Sequence, residues 1–359
     1  MKKKLILKLF IFLLTLVFIG SFIKPIVFAQ PKPEKITLGF AHIWPAVHFT
    51  QVHQFTRYFK MVEKATKGKY VLDIKWYPVG TLIGGSELYD GIIKGIAESG
   101  TSSFVYTPGR FPVMYTLCQP GIAPPENCNA AAITAMELYK TWKPKEFDDV
   151  KVLYFYATGP AWLHTKKPLK SLKDIKGLKV RATADNIEIF KALGAEPTSM
   201  VMGEVYTAAK KGIVDSLISP PETLEAWKHA ELFDYSVFVP HFYSSFFWVA
   251  MNKDKWRSLP KDLQDAFDAV ADDAAKEAGA IWQYFNTKAM DFAKAKPGGH
   301  HFSRFPDSEW EGVKEIIRPI RERYIALLNS KGLPGKEIVE SASKLMEKYN
   351  KMKFEPWKP

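Results

Sequence analysis

Arg181 carries the chemistry most easily read from the chain. It ends a short basic strand, Gly177-Leu178-Lys179-Val180-Arg181, within the run 172–221. Open α/β sheets place their ligands just beyond the carboxyl ends of their strands. A guanidinium there can hold a carboxylate through two parallel hydrogen bonds. An isolated arginine makes a structural ion pair just as readily, so the surroundings decide. A helix over 187–193, an apolar link over 195–202, a second helix over 203–211 and a second strand over 213–218 surround it.

Further candidates stand at the ends of predicted strands. His42 and Trp44 follow a strand over 36–40, Ser103, Phe104 and Tyr106 close a strand over 101–106, and Trp162 follows Gly159-Pro160. Such side chains suit the body of a small ligand. Each has a packing alternative, since aromatic rings chiefly fill cores and a lone histidine is usually a satisfied structural residue.

Catalytic signatures are missing: the sequence has no GxSxG, HExxH, Walker or GxGxxG motif. Gly80, Gly84 and Gly85 lack the Lys-Ser/Thr of a phosphate loop and read as turn glycines. Asp272 and Asp273 are adjacent and do not share a helix face. Glu222 and Glu225 can be neighbours, but no flanking group splits them into an acid and a base. No Cys/His spacing fits a metal, and His48, His53, His300 and His301 read as surface or packing residues. Neither an enzyme nor a cofactor is expected.

The elements that must position these residues come next. A 359-residue chain that is 47% hydrophobic and 25% charged has material for two cores. Its N-terminus has lysines at 2, 3, 4 and 8, an apolar run over 9–23, and Val27-Phe28-Ala29. That is the layout of a cleaved secretory signal ending near Ala29. The run is shorter than the roughly 20 residues of a membrane span, and an uncleaved anchor is the alternative. Cleavage removes five lysines (2, 3, 4, 8 and 24) and no acid, so the net charge falls from +12 to +7. The mature protein is mildly basic but has no long Lys/Arg run, which argues against nucleic acid as a partner. Export also permits a disulfide between Cys118 and Cys128, across CQPGIAPPENC.

Strands over 36–40, 70–77 and 101–106 alternate with helices over 48–65 and 86–96, the pattern of an open α/β lobe with parallel strands. A strand over 150–157 starts a second lobe, and the stretch around Arg181 repeats the same order. The apolar run 242–251 reads as a strand crossing between lobes. Helical composition from Leu259-Pro260 to Lys296 would make a brace about 55 Å long if unbroken, with Gly279 marking a bend. Helices over 307–328 and 336–348 pack outside. The expected fold class is α/β with two lobes, cross-over strands and a long lobe-spanning helix. Lobe I takes 30–157 with about 247–280, and lobe II takes 158–246 with about 281–359.

From Leu172 onward the sequence resembles the extracytoplasmic solute receptors of tripartite ATP-independent periplasmic (TRAP) transporters, the DctP type. The resemblance lies in Asp174-Ile175-Lys176-Gly177-Leu178-Lys179-Val180-Arg181, in Leu193 to Met200 ("LGAxPxxM"), in Glu204 to Ala209 ("EVYxA") and in Gly212 to Ser216. Pro78–Gly80, Gly109-Arg110-Phe111-Pro112 and Met251-Asn252-Lys253 resemble other parts of the family. The resemblance implies a two-lobed periplasmic binding protein that closes on an organic acid and delivers it to two membrane subunits. It places the carboxylate-binding arginine at Arg181, with Met202, Ser219 and Glu222 beside the ligand. Some members carry a second arginine near the Ala161-Trp162 position, and this chain has none there. One arginine among aromatic strand ends points to a monocarboxylate with an apolar or aromatic body. A receptor of an ATP-driven importer and an exported enzyme acting on an organic acid stand as alternatives. Monomer and dimer both remain open.

Overall fold

The computed structural model describes residues 32–122, 127–183, 186–240, 242 and 245–359. The expected signal segment lies outside the described residues. Eleven strands occur among the described residues, in chain order β1 (Glu34–His42), β2 (Tyr70–Pro78), β3 (Ser99–Ser103), β4 (Val150–Ala157), β5 (Trp162–Thr165), β6 (Lys179–Arg181), β7 (Glu196–Thr198), β8 (Ser216–Ser219), β9 (Tyr235–Phe238), β10 (Phe246–Asn252) and β11 (His301–Arg304).

They form two sheets. The first has the order β2-β1-β3-β10-β4 and the second β11-β9-β5-β8-β6-β7. In the first, β1 and β3 run parallel, while β10 lies antiparallel to both β3 and β4. In the second, β6 runs parallel to β7 and to β8, as the repeated β-α-β-α-β order requires. Strands buried on both faces read as continuous apolar runs, which is why VKVLYFYA and FFWVAMN pair with each other.

The chain passes between the sheets twice near one point, after β4 and before β10. These crossing segments are tied together, with Thr158 N–H donating to the Ser245 carbonyl at 2.9 Å and Ser245 N–H to Thr158 Oγ1 at 3.3 Å. The apolar run expected as a crossing strand therefore divides, and β10 itself belongs wholly to the first sheet.

The long brace is shorter than expected. Val270, at φ −96° and ψ −1°, separates a helix Lys261–Ala269 from a helix Ala271–Ala295. The 25 residues of the second helix extend about 37 Å at 1.5 Å each. It packs on the helix Cys128–Trp142 and on β4 in the first lobe, and on the short helix Thr223–Ala226 in the second. Gly279 marks a close approach and no bend: a Cβ there would lie 2.6 Å from Asn129 Cα.

A second brace was not expected. Within the helix Trp310–Ser330, Trp310, Val313, Ile317 and Ile320 pack into the second-lobe core. Tyr324 and Leu328 of the same helix join the first-lobe core, together with Ile338, Ala342 and Met346 of the helix Gly335–Asn350 and with Trp357. The end of the chain thus returns to the first lobe, where the sequence reading assigned 281–359 to the second. The expected disulfide is not formed, because Cys128 is a free thiol whose Sγ accepts from Asn286 Nδ2 at 3.5 Å.

Candidate ligand-binding site

Arg181 is the last residue of β6 and is 2% exposed. Gly177, at φ +79°, turns the chain into this strand, and Gly194, at φ +80°, ends the helix Asn186–Ala192 that follows it. Only a residue tolerant of positive φ closes a helix in this way. The glycines of the "KGLKVR" and "LGA" runs are therefore the turns that bring β6 and β7 side by side. From the loop after β7, the Met200 carbonyl accepts from both Nε and Nη2 of Arg181, at 3.1 and 2.8 Å. Those are the hydrogen bonds of the guanidinium among the described residues, and no carboxylate pairs with it there.

The guanidinium faces a cavity between the lobes. Trp44, Val105, Tyr106 and Phe247 line it from the first lobe, Arg181, Thr183, Met202, Pro220 and Glu222 from the second, and Thr158 and Ser245 from the crossing segments. Its free volume is about 20 Å³, on the order of one water molecule. A wider cavity of about 470 Å³, which shares Val105 and Tyr106, continues past Met200 and Ser199.

Two hydrogen bonds join the lobes across this cavity. Met202 N–H donates to Tyr106 Oη at 3.2 Å. His48 Nε2 lies 3.1 Å from Glu222 Oε2, with both residues 2% exposed. Thr50 N–H points at His48 Nδ1 from 3.2 Å, so Nδ1 accepts and Nε2 carries the ring proton that faces Glu222. Burial lowers the pKa of His48 to about 3 and pushes the Glu222 carboxyl well above its usual range. Burial thus works against the charged form of both groups, the imidazolium and the carboxylate alike. Asn286 of the long helix fixes Glu222 from behind, accepting its backbone N–H at 3.0 Å.

Of the residues singled out from the sequence, Arg181, Trp44, Tyr106, Met202 and Glu222 line the cavity. The others do not. His42 lies in the first-lobe core between Phe40, Phe55 and Trp76, bonded to Gln51, and burial lowers its pKa to about 4. Phe104 packs on Phe111 and Phe155. Ser103 spends its hydroxyl on Ser245 Oγ at 2.9 Å, holding the crossing segment. Ser219 bonds Thr223 Oγ1 at 2.7 Å. Trp162 lines a separate cavity of about 520 Å³ with Pro160, Phe238 and Asn286. Side chains alternate faces along a strand, and the pairing of β5 with β8 and β9 puts Trp162 opposite Phe238. His48, Thr158, Thr183 and Ser245 were missed, and for His48 no spacing signal exists because its partner is 174 residues away.

Comparison with known proteins places this architecture. A family model described as "Bacterial extracellular solute-binding protein, family 7" (DctP) matches residues 40–326. Among curated relatives, the C4-dicarboxylate-binding periplasmic protein of Rhodobacter capsulatus is 27% identical over 172 residues, 47% of this chain and 51% of that protein. The chain thus spans about half the length of that relative. A TRAP solute-binding protein of Rhodoferax ferrireducens, solved with copurified benzoate, is 26% identical, with a TM-score of 0.81 over 88% of this chain and 99% of that one. A marine metagenome TRAP solute-binding protein specific for aromatic acids, solved with 3-hydroxybenzoate, is also 26% identical, with a TM-score of 0.81 over 89% and 100% of the two chains. With the family model covering most of its length and the two-lobed fold in common, the chain belongs to family 7 of the bacterial extracellular solute-binding proteins, the DctP-type receptors of TRAP transporters.

Proposed function

We propose that this protein is a periplasmic receptor that captures a small organic acid, a monocarboxylate with an apolar or aromatic body, and delivers it to the membrane subunits of a TRAP transporter. The observation that carries this reading is the buried Arg181 guanidinium, which has no acidic partner among the described residues and lines a cavity with Trp44, Phe247 and Met202. A buried cation without a counter-charge is costly. A ligand carboxylate supplies that charge together with charge-assisted hydrogen bonds. The aromatic walls then cover the body of the ligand. The benzoate and 3-hydroxybenzoate bound by the two structural relatives support the same class.

With about 20 Å³ free, an aromatic acid is admitted only after the lobes separate or the side chains at the mouth swing aside. Binding energy then favours the closed arrangement because the ligand touches both lobes only there. A thermal-shift screen of organic acids followed by calorimetry tests the proposal, since a bound ligand stabilises the native state. Benzoates are expected to raise the midpoint. Stabilisation by sugar acids or C4-dicarboxylates, with none by aromatic monocarboxylates, would overturn the ligand class.

A further inference from the structure

The same cavity contains a second polar group whose state limits what can sit opposite Arg181. Glu222 is a buried acid on the second lobe, and its Oε2 faces the ring proton of His48 on the first. Its other oxygen, Oε1, has no hydrogen-bond partner among the described residues, and the residue lines the cavity. With Thr50 N–H aimed at His48 Nδ1, the imidazole Nε2–H faces Oε2, and Oε1 is the oxygen open to the cavity. The charged and titratable groups facing Glu222 are His48, with Arg181 and Tyr106 across the cavity. On the outer side of its helix lies the Glu225–Lys288 pair at 3.6 Å. None of them gives Glu222 a direct cationic partner, because His48 is held neutral by burial.

We propose that Glu222 works as a neutral hydrogen-bond donor held by His48, so that the cavity selects monoanionic acids whose body offers an uncharged acceptor and rejects dianions and zwitterions. This rests on the carboxylate–Arg181 reading and extends it to the other end of the ligand. With one guanidinium, one ligand carboxylate and an uncharged Glu222–His48 pair, the charges that the described residues bring to the closed site balance. A second carboxylate would be left without a cation. An ammonium would need Glu222 to ionise in a site where it has one neutral donor. His48 is a positioning residue here, because it touches Glu222 and acts on the ligand only through it.

The test uses calorimetry on the intact mature protein with benzoate, 3-hydroxybenzoate, phthalate, and the near-isosteric pair mandelate and phenylglycine. Wild-type protein is expected to bind mandelate at least tenfold more tightly than phenylglycine, and 3-hydroxybenzoate at least tenfold more tightly than phthalate. Glu222→Ala should weaken 3-hydroxybenzoate about tenfold. Glu222→Gln, which keeps an acceptor for His48 and an N–H donor toward the cavity, should restore the affinity to within a few-fold. It should also remove the loss of affinity expected of wild-type protein at alkaline pH, where Glu222 would ionise and cease to donate. Phenylglycine bound as well as mandelate, or Glu222→Gln as damaging as Glu222→Ala, overturns the proposal. The wild-type ligand series decides the matter even if a variant fails to fold. If no aromatic monocarboxylate binds wild-type protein, or if binding does not depend on Arg181, it is the receptor reading that fails.

Discussion

Arg181 and Met200 are joined by two hydrogen bonds to one oxygen: Nε and Nη2 both donate to the Met200 carbonyl, at 3.1 and 2.8 Å. The bond along this edge of the guanidinium fixes its plane. It leaves Nη1 and the second Nη2 proton unused, so the guanidinium is already oriented for the ligand carboxylate proposed above. Preorganisation of this kind lowers the ordering cost of binding.

Replacing Arg181 separates its two roles. Arg181→Met removes two charge-assisted hydrogen bonds to a bound carboxylate, each contributing about 1.5–3 kcal/mol, so benzoate affinity should fall at least about a hundredfold. The ligand-free protein should keep its melting temperature or gain a little, since a buried charge with no acidic partner among the described residues has been removed. Arg181→Lys should lose nearly as much affinity, because an ammonium cannot bond Met200 and a carboxylate in the same fork geometry. Unchanged affinity in calorimetry would remove Arg181 from the site.

Tyr106 tests lobe closure. Its hydroxyl accepts from Met202 N–H across the cavity at 3.2 Å, a contact made only when the lobes are together. Tyr106→Phe leaves that N–H unpaired in the closed state at a cost of about 1 kcal/mol, so affinity should drop about fivefold for every ligand alike. A change in the ranking of ligands, with the best one unaffected, would mean that Tyr106 recognises the ligand and does not latch the lobes.

How far the sequence reveals this protein depends on the range of each signal. Local signals carried the lobes and β6, since "KGLKVR" and "LGA" place turn glycines at Gly177 and Gly194, where φ is positive. The packed partner of a helix is not local. Gly279 read as a bend because a helical glycine usually loosens a helix, whereas Asn129 lies against it. Strand ends gave the right region of the chain but not the right face. Trp44 and Tyr106 reached the cavity, while Phe104 and Trp162 turned into other packing. His48 carried no signal at all, because its role exists only once Glu222 has been folded against it.

Acid should unfold the protein steeply. Burial lowers the pKa of His42 and His300 to about 4, and of His48, His164 and His229 to about 3. The unfolded chain takes up protons on these rings below about pH 6.5 while the native state does not, so their stabilisation is lost as pH falls. Glu146, raised by burial to about 7, and Glu222, raised well above its usual range, act in the opposite direction. They hold protons in the native state that the unfolded chain releases above about pH 4.5. Five histidines against two carboxyls leave a net uptake of about three protons on unfolding, or about 4 kcal/mol per pH unit at full titration. Unfolding midpoints measured between pH 6.5 and pH 4.5 should fall continuously. A flat profile in that window would show that the histidines are protonated in the folded protein.

Gly279 offers a test of the brace itself. A Cβ at this position would lie 2.6 Å from Asn129 Cα and 2.8 Å from the Cys128 carbonyl oxygen, backbone atoms that cannot rotate away. Gly279→Ala therefore has to push the long helix off the helix Cys128–Trp142. Overpacking of this kind costs about 1–3 kcal/mol, against a helix-propensity gain of up to about 1 kcal/mol. The melting temperature should fall by several degrees, at about 2–4 °C per kcal/mol for a protein of this general size. Asn286, two turns further along the same helix, holds both Glu222 N–H and Cys128 Sγ, so the displacement should also weaken ligand binding. The exposed Lys276→Ala on that helix supplies the control. A rise in melting temperature for Gly279→Ala, as propensity alone dictates, would mean that the two helices do not meet as closely as the Asn129 contact requires.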